Sequence, residues 1–318
     1  MKKNALVYFV IIAVLILTWF ILERIQVFQD DQVDSNEKIK VATTIYPLSD
    51  IVKNIGQDRV EVVQILATGA GVHSYEPQVS DVRKISGSQA VFYIGHGLDD
   101  WILPLTQSAG VKDLVKTDKY VDLLEKEGDQ EFEDDNSHQE ELESEVLSDD
   151  PHYWLSLKNG EKMARQVAEK LALIDAYGEE YYMNNLDKYI EDMRISRIYL
   201  DSQLEDMENR KILVLHNAWQ YLAKDFDLEV IGALKTSDAH EQGPQHLEGL
   251  YQTAERENIS TIYGEEQLSL EQIKPLAQDL GLEIIKLDPL GANKEIDSYI
   301  KLIEYNVLKI YEGQSSGN

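Results

Sequence analysis

The 318-residue chain has no cysteine. This excludes disulfides, thiolate metal sites and cysteine nucleophiles, and with them a lipid-modified cysteine as a membrane tether. Basic residues are in short supply, 30 Lys and Arg against 58 Asp and Glu, for a formal net charge of −28. Such a chain should avoid nucleic acid and the anionic face of a membrane, and it could attract cations. No G-x-x-x-x-G-K-[ST] phosphate loop is present, so no ATPase belongs to this chain. H-E-x-x-H is also absent, which counts against the commonest zinc-protease pattern. No short internal repeat stands out.

Long apolar runs are missing except at the start. Lys2 and Lys3 precede an uncharged stretch, Ala5 to Leu22, "ALVYFVIIAVLILTWFIL". As a helix it would span roughly 27 Å, close to a hydrocarbon core of ~30 Å. The flanking lysines put the N-terminus in the cytoplasm and the body outside. A cleaved signal peptide is the competing reading. It would have a shorter apolar part and a small-x-small site close behind, whereas "ERIQVFQ" follows here. The expectation is an N-terminal membrane anchor over 1–24 and a polar tether over 25–37.

The body is long enough for two lobes. Short β-rich runs alternate with helical segments: "KVATTIYP", "PLSDIVKNIG", "RVEVVQIL", "VSDVRKISG", "AVFYIG". This rhythm implies βαβ units and parallel sheets. It resumes later with "KILVLH", "NAWQYLAKDF", "EVIGAL", "GPQHLEGLYQTAERENI", "TIYGEE", "SLEQIKPLAQDLG" and "EIIKLDPLG". A last helix is expected from about 294 to 311. Between the two series a helical stretch runs from about 158 to 207. Within it Tyr182, Leu186, Ile190 and Met193 step by three or four, as one helix face requires. The fold class is α/β: two lobes of parallel-type sheet flanked by helices. The expected division is 38–176, a linking helix over 177–208, then 209–313 and a tail. Residues 122–150 break the pattern with a nearly all-acidic block holding one histidine, His138. Like charges repel, so this block reads as an exposed, solvated loop.

Candidate ligands gather at strand ends. His216 ends "KILVLH", Asp288 ends "EIIKLD", and His73 lies in the loop after "RVEVVQIL". In open parallel sheets, ligand groups collect at the carboxyl ends of strands. His152, in "DPHYW", precedes the helical region between the lobes. Three neutral imidazoles and one carboxylate suit a borderline divalent cation such as zinc. Any one histidine alone is more often a structural residue, and the local wording around each lifts the four together.

That wording resembles the solute-binding proteins of bacterial ABC importers for zinc and manganese. "HSYEPQVSDVRKI", "GHGLDDW", "DPHYWLS", "LHNAWQYLAKDFDL", "YGEEQLS" and "LDPLG" resemble six of the family's segments in order, over roughly residues 38–313. The resemblance implies a C-clamp, with two lobes joined by one long rigid helix and metal between them. It assigns ligation to His73, His152, His216 and Asp288. It implies delivery of the ion to a membrane permease driven by a cytoplasmic ATPase, with no catalysis. A monomer is expected, on the extracytoplasmic side of the cell membrane. Manganese members tend to carry glutamate at the third position. His216 stands there, so zinc is the expected ion, with manganese the alternative. The chain departs from the family in lacking a cysteine, in having an acidic insert where many zinc members carry histidines, and in Glu266 where proline is usual.

Two other readings stay open. One is a zinc hydrolase with Glu265 as base. The other is a surface adhesion protein with a structural metal. Under the transport reading, Glu265 accepts the free N–H of a ligating imidazole. His96 is read as structural or exposed. His240 and His246 could form a minor second site, but an exposed loop and helix face is the plainer reading. Trp101, Trp154 and Trp219 are expected to pack lobe and cleft walls.

Overall fold

The computed structural model describes Thr18 and residues 38–126, 149–235 and 243–315. The expected anchor (Thr18 apart), the tether, most of the acidic loop with His138, and His240 lie outside the described residues. Among the described residues no helix is long and apolar enough to cross a membrane. Residues from Ile39 onward form one compact unit.

Two four-stranded sheets organise this unit, and both are parallel throughout. The first uses β1 (Ile39–Thr43), β2 (Val60–Gln64), β3 (Ala90–Tyr93) and β4 (Leu114–Lys116), in the order β2-β1-β3-β4. The second uses β5 (Lys211–His216), β6 (Glu229–Lys235), β7 (Thr261–Glu265) and β8 (Glu283–Leu287), in the order β6-β5-β7-β8. The two halves thus share a topology as well as a rhythm. In each sheet the order reverses between its first and third strands, where crossovers diverge and leave a crevice at the carboxyl ends.

The helices follow local signals. α1 (Tyr46–Gly56) starts with Pro47 in its first turn, where the missing N–H costs nothing. α2 (Val79–Ile85) opens on a capping box between Gln78 and Asp81. α3 (Ile102–Ala109) and β4 were not anticipated from the sequence; β4 is only 3 residues long and carries little pattern. The helical stretch expected over about 158–207, with the linking helix marked off at 177–208, is two helices, α4 (Leu157–Ile174) and α5 (Glu179–Gln203). The break comes at Asp175. Its carboxylate accepts from Gly178 N, Tyr182 Oη and the Arg59 guanidinium, so the chain turns there before α5 starts. α5 is the long helix between the sheets, 25 residues and therefore about 37 Å.

In the second half come α6 (Gln220–Asp225), α7 (Pro244–Arg256), α8 (Lys274–Leu280) and α9 (Tyr299–Ser315). α9 begins later than expected because Asp288 commits the intervening turn: its carboxylate accepts from Leu290 N and Asn293 N. Tyr299 N then donates to Asp50 of α1, and Tyr299 Oη donates to Trp154 O and Ser156 O. The last helix therefore reaches back onto the first half. One apolar core runs through both sheets, from Val41 and Leu48 through Trp154 and Met193 to Trp219 and Val307. Separate smaller clusters cover the outer face of each sheet.

The turn after β3 holds a buried acid. Gly95, His96 and Gly97 all have positive φ, 83°, 56° and 82°. A side chain at Gly95 would also strike Lys116. Asp99 braces this turn, accepting from Ile94 N, Gly95 N and Thr44 Oγ1. Burial pushes its carboxyl up to about 6, against the pull of those hydrogen bonds. An unfolded aspartate titrates near ~3.9. Between these values the folded state binds the proton and the unfolded state does not. Asp99 should therefore add stability as pH falls through that window and lose it as pH rises through about 6. Carboxyl 13C NMR of the wild type should find one aspartate titrating near about 6, and Asp99→Asn should remove it. A spectrum with every aspartate in the usual range would mean that the hydrogen bonds outweigh burial.

Candidate metal centre

His216 is the final residue of β5, and Glu265 is the final residue of β7. These are the strands between which the second sheet's order reverses. Both side chains are buried, at 2% exposure each. His216 Nδ1 lies 3.1 Å from Glu265 Oε1, and Trp219 Nε1 donates to the same oxygen at 3.0 Å. The carboxylate thereby fixes the ring and presents Nε2 forward, as the sequence expectation for Glu265 required.

His152 is held the same way by a residue that sequence reasoning missed. Asp150 Oδ1 accepts from His152 N at 3.0 Å and lies 2.8 Å from His152 Nδ1. Both residues are buried. Asp150 is itself gripped: its N–H donates to Leu124 O, and its carbonyl accepts from Tyr221 Oη of α6. Its only sequence signal was position, two residues ahead of a candidate ligand.

His73 comes from the loop after β2 and is exposed. Just beyond it, the Tyr75 ring packs tilted against Trp101 with centroids 4.6 Å apart, and its hydroxyl donates to Asp81 Oδ2 of α2. The loop's far side is therefore fastened to the first turn of α2.

The three rings converge. Their centroids form a near-equilateral triangle with sides of 5.3, 5.1 and 5.0 Å. His73 Nε2 and His152 Nε2 are 3.2 Å apart. A tetrahedral ion with nitrogens at ~2.0–2.1 Å holds two of them about 3.3 Å apart, so the spacing fits such an ion. Each of the three offers one nitrogen within 4.8 Å of the others. They line a cavity of about 330 Å³ with Trp154, Glu265, Gln267, Leu268 and Pro289.

Asp288 is not in that group of three. It is fully buried at the end of β8, and its carboxylate accepts from Gln267 Nε2, Leu290 N and Asn293 N. It touches the cavity wall through Gln267. His96 lies elsewhere, with Nε2 on Asp118 and Nδ1 near Asp149, as a structural histidine. His246 Nε2 donates to Ala233 O. Trp154 and Trp219 pack the cleft walls as expected, and Trp154 Nε1 also donates to Pro289 O across the cleft.

Known proteins with similar chains have similar architecture. The structure overlays the crystal structure of ZnuA with a TM-score of 0.75 at 24% identity, covering 87% of this chain and 100% of that one. The AdcAII protein of Streptococcus pneumoniae gives 0.74 at 24%, with 87% and 99% covered. In sequence, the manganese ABC transporter substrate-binding lipoprotein PsaA of Streptococcus mitis is 27% identical, over 88% of this chain and 90% of the relative. The manganese-binding lipoprotein MntA of Halalkalibacterium halodurans is 24% identical, over 89% and 90%. Residues 41–313 match the family described as ZnuA, zinc-uptake complex component A, periplasmic, and the chain belongs to that family.

Proposed function

We propose that the protein captures a divalent transition-metal ion outside the cytoplasmic membrane and hands it to the permease of an ABC importer. The observation that carries this reading is the triangle of His73, His152 and His216 in one cavity at the carboxyl ends of the strands. The similar chains named as ABC transporter substrate-binding and metal-binding lipoproteins support the same role. The proposed ligands are His73, His152, His216 and Asp288. The proposed lobes, 38–176 and 209–313, would meet along the linking helix, with α9 returning across the junction. This chain lacks the cysteine of a lipoprotein, so attachment would fall to the apolar run Ala5 to Leu22.

For the ion itself we favour zinc. Three imidazoles are softer donors than carboxylates and suit zinc better than manganese. The family description names zinc and the reported relatives name manganese, so our preference rests on the donor set. A hydrolase would need a carboxylate free to take a proton from water. Glu265 is instead engaged with His216 and Trp219.

The test is elemental analysis of the purified protein, followed by competitive zinc and manganese titration. A tightly held stoichiometric ion that outcompetes a chelator is expected. A protein that binds neither ion would end the proposal. The carboxylates behind the imidazoles supply a sharper check. Asp150→Asn and Glu265→Gln should each lower zinc affinity by about 10–100-fold, because each orients a ligating ring and raises its basicity. Unchanged affinity in both variants would remove His152 and His216 from the coordination sphere.

A further inference from the structure

Gln267 stands just beyond β7 and lines the cavity that the three histidines enter. Its Nε2 donates to Asp288 Oδ1 at 2.8 Å. That contact fixes the orientation of the amide. Turning it over would set one acceptor oxygen against another. The carbonyl oxygen, Oε1, then has a definite place. It is buried and has no hydrogen-bond partner among the described residues. A buried carbonyl without a partner is costly and calls for an explanation. Here its surroundings supply one, since the same cavity is lined by three imidazoles whose own geometry fits a cation.

We propose that Gln267 Oε1 is a neutral oxygen donor to the bound cation, so that the amide holds Asp288 with one end and meets the ion with the other. The proposal rests on the metal-capture reading above and adds to its donor set. It also gives Gln267 a part in choosing the ion. Zinc is satisfied by four ligands in a tetrahedron. Manganese prefers oxygen donors to imidazole. An extra amide oxygen therefore helps manganese more than zinc, and this one residue narrows the preference that the three imidazoles create.

The test compares Gln267→Leu with Gln267→Glu in the whole protein, using zinc, manganese and cobalt as probes. Leucine removes the oxygen. Glutamate keeps an oxygen while removing the donor to Asp288. Gln267→Leu should lower manganese affinity about tenfold, the worth of one lost polar contact, and zinc affinity less than about threefold. Gln267→Glu should keep manganese affinity at or above the wild-type value. The visible spectrum of the cobalt form should shift toward lower coordination in the leucine variant alone. Equal losses for both metals in Gln267→Leu, with an unchanged cobalt spectrum, would overturn the proposal and leave Gln267 as a support for Asp288. If the leucine variant does not fold, a loss of manganese affinity in Gln267→Glu overturns it instead. A wild-type protein that takes up neither ion fails at an earlier step and removes the reading beneath it as well.

Discussion

Replacing His216 with alanine should lower zinc affinity by more than the roughly 10–100-fold that loss of an outer partner costs. The reason is geometric. His216 supplies one corner of the ring triangle, and its two sides measure 5.1 and 5.0 Å. Without it the two remaining imidazoles span only one edge. A small rearrangement cannot replace the corner, because His216 is the last residue of a strand paired on both sides. The fold should survive. His216→Ala strands the Glu265 carboxylate, but Trp219 Nε1 still donates to it. The expected stability loss is about 1–3 kcal/mol, the cost of leaving a buried polar group short of a partner. His152→Ala should behave alike, since Asp150 keeps its carbonyl contact with Tyr221 and its N–H contact with Leu124. Isothermal titration with a competing chelator measures the affinity, and circular dichroism reports the fold. An alanine variant at either position that binds zinc within tenfold of wild type would dissolve the proposed centre.

His73 should differ from these two in one respect. It is the exposed member of the three, on a loop, whereas His152 and His216 are buried and braced. Two corners of the proposed site are therefore buried and braced, and one is exposed on a loop. Under the proposed function, ion entry and exit would require only that the loop corner shift, which is compatible with a core shared between both sheets.

Much of the proposed centre was legible in the sequence, from strand ends together with the family wording around each histidine. His216 closes an apolar run that could only be a buried strand, so its position at a carboxyl end followed. Glu265 was legible for the same reason. Asp150 was not. It closes an acidic block, and nothing in the wording separates the one carboxylate that is buried behind His152 from the many around it. Gln267 was hidden too, because the direction of its amide depends on Asp288, which is remote in sequence and adjacent only after β7 and β8 pair. The linking helix was legible, expected from 177 and found from Glu179, but the cause of the break was not, because Asp175 turns the chain through its own hydrogen bonds. The start of α9 was missed because a buried carboxylate, Asp288, holds the preceding residues in a turn.

Asp225→Ala should lower stability by about 2–4 kcal/mol. Asp225 ends α6 with its side chain only 1% exposed. It accepts from Ser156 Oγ at 2.9 Å and pairs with Arg197 Nη1 at 2.6 Å and Lys158 Nζ at 3.0 Å. Those partners come from the cap of α4, from α4 itself and from the linking helix α5. One carboxylate thus joins three elements. Breaking a buried ion pair from one side costs about 3–5 kcal/mol, because the other charge is left behind. Here the remaining cations are partly exposed, Arg197 by 26% and Lys158 by 67%, and Arg197 keeps its pair with Asp201. That lowers the figure to the range given. The substitution should also reach the metal. Four residues earlier on the same helix face, Tyr221 bonds to the carbonyl of Asp150, so α6 grips the chain on both sides of His152. Loss of the Asp225 grip should loosen His152 against His216 and weaken zinc binding, though less than removal of either ring. Asp225→Asn, which keeps an acceptor for Ser156, should recover part of both losses. Urea unfolding of the metal-free protein and zinc titration of the folded variants measure the two effects. An alanine variant as stable as wild type would mean that Asp225 merely neutralises surface charge, and the coupling of α6 to His152 would have to be abandoned.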